Sequence, residues 1–409
     1  MDRRRRGILA VAGCSVAIFW PGAFIFGFPG VMAPYWKDQF QVGQGALGNI
    51  MFFVLAAVGT VMFFVGRWQD RVGIRRMITI GAIVTGLDVL FLACASNVSM
   101  VYLWAFVMGA ASCFIYVPAL TTVQKWFPDR RGMVTGVVNL MFGLSAAIFS
   151  PILGYLLSTL DYVTMIVSLG IVALGVGVAA AQFTDVPERF EWADRSSLGL
   201  SSVPPLDQER SLTLRHSVRT VSFWCLWLTW ALQGAACVAM ITLSTSYGMA
   251  RGHSLESAIL ILTAFNLASG FSRLLGGILS DIVGRNFIMS VTFLASGLAY
   301  LALPLAGTLV WLAGLAIVIG FAFGTLFSVS APLTVDCFGI AHFGSIFGLA
   351  FTAYGFLAGP LGPSLSGYVL DATGGDYSMV FRYLGSFCLA STVLIKFVRP
   401  PARSKLPIG

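Results

Sequence analysis

Charge is scarce in this chain. Of its 409 residues only 10% are charged, while 57% are hydrophobic; soluble domains carry roughly 25% charged residues. Too little polar surface is available to cover a water-exposed globule of this size. Metal-binding residues are sparse as well. The three histidines, His216, His253 and His342, show no ligand spacing. The seven cysteines (positions 14, 94, 113, 225, 237, 337 and 388) contain no CxxC pair and fall in or at the ends of apolar runs. They read as small packing residues, not a redox or metal set. No nucleophile with its base and no paired carboxylates stand out, so neither enzymatic chemistry nor a cofactor or metal is expected. Lysine is limited to Lys37, Lys125, Lys396 and Lys405.

What the chain has in abundance is apolar runs. A membrane-crossing helix needs roughly 20 mostly apolar residues. Twelve such stretches are present, near 8–35, 45–65, 77–95, 100–124, 133–158, 162–183, 223–247, 256–279, 287–306, 308–335, 343–369 and 378–398. Glycine is frequent (45 residues), as suits helices packed closely in lipid. The expected fold class is an all-α membrane protein with twelve transmembrane helices, surrounded by membrane lipids. The first run is too long, and too directly followed by a second, to read as a cleaved signal peptide.

The basic residues map this topology. With the N-terminus inside, 21 of the 25 fall in cytoplasmic loops and tails, among them Arg3 to Arg6, Arg67, Arg71, Arg75, Arg76, Arg130, Arg131 and Arg285. Lys37, Arg251 and Arg382 fall outside. The net charge of +8 therefore reports orientation, not a nucleic-acid partner. A multi-pass protein of the cell (inner) membrane with both termini cytoplasmic is expected.

The longest polar stretch, 184–220, is rich in Ser, Pro and charge and reads as a cytoplasmic linker. It separates an N-terminal six-helix bundle (1–183) from a C-terminal one (221–409). The two halves repeat. Gly66, Asp70 and Gly73 in GRWQDRVGIRR match Gly277, Asp281 and Gly284 in GGILSDIVGRN, each pair 211 residues apart. Gly132, Gly136, Gly143 and Pro151 match Gly344, Gly348, Gly355 and Pro363 at an offset of 212, and Phe127 matches Phe338 at 211. Six helices per half make this a parallel repeat about an axis along the membrane normal.

At these residues the chain resembles the major facilitator superfamily, whose signature is G-x-x-x-D-x-x-G-x-R/K in the loops after helices 2 and 8. It stands here as GRWQDRVGIR and, with Asn286 in place of the last basic residue, as GILSDIVGRN. The resemblance implies two pseudo-symmetric six-helix bundles around a central cavity, and secondary transport by alternating access. Gly66, Asp70, Arg71, Gly73, Gly277, Asp281, Gly284 and Arg285 are then gate elements, the aspartates capping a helix end or pairing with a loop arginine.

Transporters of this kind bind cargo near mid-membrane between the repeats, so ionisable residues there are the first candidates. Arg273 lies eight residues before Asp281, about 12 Å along a helix. At that depth a guanidinium, which stays charged, needs an anion or water. Asn266, Ser269 and Arg273 share one helical face. Arg273 reads either as a bidentate fork for a substrate carboxylate or as the partner of Asp88 in helix 3. Asp88 is open as proton carrier, arginine partner or structural residue. Asp336, at the position of Lys125 in the other half, reads as a gate charge. The repeat also places Tyr116 with Phe327 (offset 211) and Phe142 with Tyr354 (offset 212). With Phe323, Phe351, Phe24 and Phe28 they suggest an aromatic box for a small flat anion.

Three stretches narrow the resemblance. QKWFPDRRGMVTGVVNLMFG (124–143), RTVSFWCLWLTWAL (219–232) and HFGSIFGLAFTAYGFLAGPLGPSLSGYVLDATGGDYSMVFRYLG (342–385) resemble segments of the oxalate/formate antiporter family, the first also those of monocarboxylate transporters. Both families carry a carboxylate-binding arginine in helix 8, where Arg273 stands. Oxalate exchangers add a lysine in helix 11, which is missing here. A dianion facing one guanidinium would leave a charge unpaired, so a monoanion such as lactate, pyruvate, formate or acetate is expected. Proton-coupled carriers have an Asp one turn before that arginine and a lysine in helix 1; here the first is Ser269 and the second is lacking. Proton symport and anion exchange both remain open. A dicarboxylate exchanger, or a carrier of a drug or sugar with Arg273 neutralised by Asp88, are the alternatives. A monomer is expected.

Overall fold

The computed structural model describes residues 3–127, 131–185, 211–339 and 342–400. Within these it is helical throughout, and twelve helices are long and apolar enough to cross a membrane. The first span is α1 (Arg3–Phe26) and α2 (Phe28–Phe40), broken at Gly27 ahead of Pro29, which lacks the N–H that would continue the ladder. Then follow α3 (Gln44–Val72), α4 (Ile74–Phe91), α5 (Val98–Trp126), α6 (Arg131–Thr159) and α7 (Tyr162–Ala181). A single turn, α8 (Leu214–Ser217), precedes α9 (Val221–Ala250), α10 (Leu255–Val283), α11 (Arg285–Ala302) and α12 (Leu309–Phe338). The eleventh span is α13 (Phe343–Ala353), two wide π turns (Tyr354–Ala358 and Pro360–Ser364) and α14 (Leu365–Thr373). The twelfth is α15 (Tyr377–Leu394).

The repeat seen in sequence recurs in local chemistry. Asn97 and Thr308, 211 residues apart, cap α5 and α12 by accepting from the N–H three residues on. Gly73 and Gly284 have φ of 91° and 95° with the same ψ of 139°. Only glycine adopts that conformation without strain, which is why the signature's second glycine recurs.

The halves meet along two seams, α6 against α10 and α3 against the eleventh span, with α2 on α9 closing one end. Glycines set the spacing. A methyl group on Gly154 would stand 2.5 Å from Ile259, and one on Gly143 would stand 2.6 Å from the Gly270 Cα; at Gly136 the nearest atom, on Leu274, is 3.2 Å away, and at Gly277 none lies within 4 Å. The α3 seam behaves alike: Gly48, Gly59, Gly355 and Gly359 touch the facing helix, while Gly344 and Gly348 face open space. Both seams are shut at the end opposite the linker and loosen toward the linker end.

Candidate functional site

α10 packs between α6 and α12, and its buried stripe includes Asn266, Ser269, Gly270 and Arg273. Arg273 lies ten residues from the end of α10, about 15 Å, and only 4% of it is exposed. Its guanidinium carbon stands 4.8 Å from the ring centre of Phe327, 5.3 Å from Phe142 and 5.8 Å from Phe26. These rings come from α12, α6 and α1, so both halves build the cage. Nε, Nη1 and Nη2 all lack hydrogen-bond partners, and among the described residues no carboxylate pairs with this arginine. A buried cation–π contact contributes about 2 kcal/mol, whereas taking an ion out of water costs several kcal/mol and leaves its donors unmet. Rings soften that cost; an anion with two acceptor oxygens would remove it.

A cavity of about 50 Å³ adjoins the cage, lined by Phe26, Tyr116, Phe142, Phe327, Phe351 and Tyr354 together with Ser112, Met62 and several aliphatic side chains. Arg273 is not part of its wall; it stands behind three of the lining rings. The Tyr116 hydroxyl donates to Asn139 Oδ1 at 2.8 Å. The Tyr354 hydroxyl is buried without a partner. Behind them, Trp230 of α9 packs edge-on against Phe327, Phe351 and Tyr354 at 5.1, 4.9 and 5.6 Å.

Of the residues expected from sequence, Arg273, Tyr116, Phe142, Phe327, Phe351 and Tyr354 are thus brought together. Phe323 lies one layer back, between Phe26, Phe265 and Phe327. Asn266 does not line the cavity: its Nδ2 donates to the Phe26 carbonyl at 3.2 Å, beside the break in the first span, and to Leu262. Phe24 and Phe28 are a correction. They share a face, but that face points into their own half, against Phe149, Trp36 and Trp104. Phe26, on the opposite face, is the ring that the first span gives to the cage. Asn139 was equally absent from the sequence reading, although its place one turn before Phe142 signals a polar group on the same face.

Asp88 does not neutralise Arg273. It is buried in α4, with Oδ2 unpartnered, and α4 packs on α5 and α7, away from the seams.

At the linker end, the second signature copy forms a cluster within its own half. Arg285 lies 2.9 Å from Asp336 and 3.9 Å from Asp281. A methyl group on Gly277 would meet nothing within 4 Å, and Arg71 is exposed; the burial of Gly66 and the side chain of Asp70 lie outside what the structure describes. Arg75 and Asn286, the repeat-mates at the last signature position, do the same mechanical job with different chemistry. Arg75 binds Gln182 at 2.8 Å and Asp185 at 3.1 Å, and Asn286 donates to the carbonyls of Ile395 and Val398 at 2.9 and 2.6 Å. Each ties the start of the third helix of a half to the end of its sixth. The loss of the basic residue in the second copy is thereby explained. A larger hollow of about 490 Å³ opens beside Arg285, Asp336, Lys396 and Arg399.

Comparison with known proteins fits this architecture. The chain is 29% identical over 346 residues to an uncharacterized 38 kDa protein of Thermoproteus tenax, covering 83% of each. It is 23% identical to the oxalate:formate antiporter of Oxalobacter formigenes, covering 82% of this chain and 79% of that one. Monocarboxylate transporter 2 of Mesocricetus auratus is 25% identical, with 93% and 82% covered. In fold it matches a bacterial homolog of the human lysosomal transporter Spinster, crystallised inward-facing, with a TM-score of 0.70 at 15% identity over 97% of this chain and 94% of that one. The Major Facilitator Superfamily model matches residues 14–359 and 253–409, and the chain, a multi-pass membrane protein, belongs to that superfamily of transporters.

Proposed function

We propose that this protein is a secondary transporter of small organic monoanions, monocarboxylates of the lactate, pyruvate, formate or acetate class, working by alternating access through proton symport or anion exchange. The observation that carries the reading is Arg273, a buried cation with three unpartnered nitrogens on the seam between the halves. A carboxylate offers two oxygens in the spacing of the guanidinium fork. Because three rings stand between Arg273 and the cavity, an arriving carboxylate displaces at least one of them to reach it.

Size and charge favour this cargo over the alternatives. A pocket for a drug-sized ligand runs to roughly 300–1,000 Å³, against about 50 Å³ here. A dianion would need a second cation, and among the described residues Arg273 is the only Lys or Arg with a ring contact in the cage. Relatives named as an oxalate:formate antiporter and a monocarboxylate transporter support a carboxylate cargo. Asp88 is the proposed proton-carrying group if transport is proton-coupled. The reading places the protein in the cell (inner) membrane with both termini cytoplasmic, as a monomer of two bundles, 1–183 and 221–409, joined by the 184–220 linker.

The test is uptake of labelled lactate, pyruvate, formate and oxalate into proteoliposomes, with and without a pH gradient, for wild type, Arg273→Lys and Arg273→Ala. Uptake of a monoanion that Arg273→Ala abolishes is expected. Robust uptake by Arg273→Ala would overturn the reading, and equal transport of oxalate and lactate would overturn the one-cation argument.

A further inference from the structure

Two of the long helices that open on the side away from the linker, α3 and α10, begin at repeat-equivalent positions. Gln41 and Gly252, 211 residues apart, both have positive φ, 51° and 86°. Two residues on, the N-cap positions are Gly43 and Ser254, again 211 apart. From here the halves differ. Ser254 caps its own helix, its hydroxyl accepting from the Ser257 N–H at 3.3 Å. Gly43 has no side chain to do so. The first N–H groups of α3 go instead to the other half: Gln44 N–H donates to Asp371 Oδ1 and Gly45 N–H to Asp371 Oδ2, each at 2.8 Å.

Asp371 belongs to α14, so a carboxylate of the C-terminal half caps a helix of the N-terminal half with both oxygens. Gly43 is needed for this, since a methyl group there would collide with that carboxylate. The charge also sits at the positive end of the α3 dipole. One turn along each helix, Asn49 Nδ2 donates to the Tyr368 hydroxyl at 2.8 Å. Next to Asn49, Gly48 lies directly against the Pro363 carbonyl.

We infer that Asp371 is the gate residue of the end opposite the linker, holding that end shut by capping α3 across the seam. A self-cap of the Ser254 kind would stabilise α3 in every state of the cycle. A cap supplied from the other half stabilises only the states in which the halves touch there, so the same two hydrogen bonds become a conformational bias. The contact lies at the solvent rim, with Gly43 and Asp371 exposed, where water can replace it when the end opens. In its repeat-mate region, the end of α6, Thr159 and Leu160 stand at the matching positions, and the adjacent Asp161 caps α7, accepting from the Thr164 N–H at 3.0 Å. Among the described residues the latch is therefore single, on the α3 seam.

This inference rests on alternating access as proposed above, not on the identity of the cargo. Its test separates a latch from a plain cap. Asp371→Ala removes both roles. Gly43→Ser combined with Asp371→Ala gives α3 its own cap back while leaving the halves unlatched, and the lost carboxylate makes room for the serine. Spin labels at Ser158 and Thr373, exposed residues of the two halves at that end, would report the separation, with the exposed Cys94 replaced by serine.

A shift of roughly five- to tenfold toward the longer distance is expected in both variants, the population equivalent of one lost cap. The double variant should match wild type in thermal stability. If it instead matches wild type in distance as well, Asp371 is only a cap and the inference fails. Longer distances populated equally in wild type and variants would overturn the latch while leaving alternating access standing. A single short distance in every protein would overturn both.

Discussion

Gly143 and Gly270 bring the two halves into backbone contact beside the buried cation: a methyl group on Gly143 would stand 2.6 Å from the Gly270 Cα and 3.3 Å from Arg273 Nε. The seam and the guanidinium are thus set by the same pair. Gly143→Ala must push α6 from α10 or displace Arg273, an overpacking cost of about 1–3 kcal/mol. Thermal unfolding in detergent should show a lower midpoint, and uptake should fall at least tenfold. Gly175→Ala, where nothing lies within 4 Å, should leave both unchanged.

Arg273→Lys keeps the charge but loses the planar fork. A lysine presents a point charge with no bidentate match to a carboxylate, so uptake should drop roughly ten- to a hundredfold. Binding of a monocarboxylate, followed by the quenching of Trp230 fluorescence, should weaken in parallel. A loss of uptake with undiminished binding would show that Arg273 serves the movement of the halves and not the cargo.

The Tyr116 hydroxyl and Asn139 satisfy one another at 2.8 Å, which makes their effects non-additive. Asn139→Leu strands the hydroxyl, a penalty of about 1–3 kcal/mol. Adding Tyr116→Phe removes the stranded group and should restore much of the loss. Measuring uptake and thermal stability for both single variants and the double variant checks this through the coupling energy.

Asp88→Asn tests proton coupling. With Asp88 as the carrier, the amide cannot take up a proton, so an inward pH gradient should no longer stimulate uptake, while exchange of internal for external substrate persists. Stimulation that survives in Asp88→Asn assigns the proton elsewhere.

Asn266 links the halves at the break in the first span. Asn266→Leu withdraws the donor from the Phe26 carbonyl and frees the ring that contacts Arg273. An unmet buried acceptor costs about 1–3 kcal/mol, so a destabilised protein with a weakened apparent affinity is expected, measurable by thermal shift and by the KM of uptake.

The twelve spans were legible because lipid demands long apolar runs, and the repeat because glycine leaves a countable mark wherever backbones meet or φ turns positive. The cage was only partly legible. Periodicity says that Phe24 and Phe28 share a face, but not whether that face looks toward the seam or into its own half; the bulk of Trp36, Trp104 and Phe149 decides it. The same limit hid Phe26. Asn286 looked like a damaged signature because residue type was read without its target, and backbone carbonyls serve an amide as well as a glutamine and a carboxylate serve an arginine. Pairing of Asp88 with Arg273 was one of two readings the sequence left open; the packing of α4 on α5 and α7 speaks against it.

The eleventh span contains two π turns, Tyr354–Ala358 and Pro360–Ser364. A wide turn holds a residue beyond the α-helical count, and removing one residue would rotate everything past it by about 100°. Phe351 and Tyr368 therefore do not lie on one continuous α-helix. The stretch that supplies the cavity ring and the stretch that carries Asp371 are set at relative angles that an unbroken α-helix would not give them, like two cams keyed separately to one shaft.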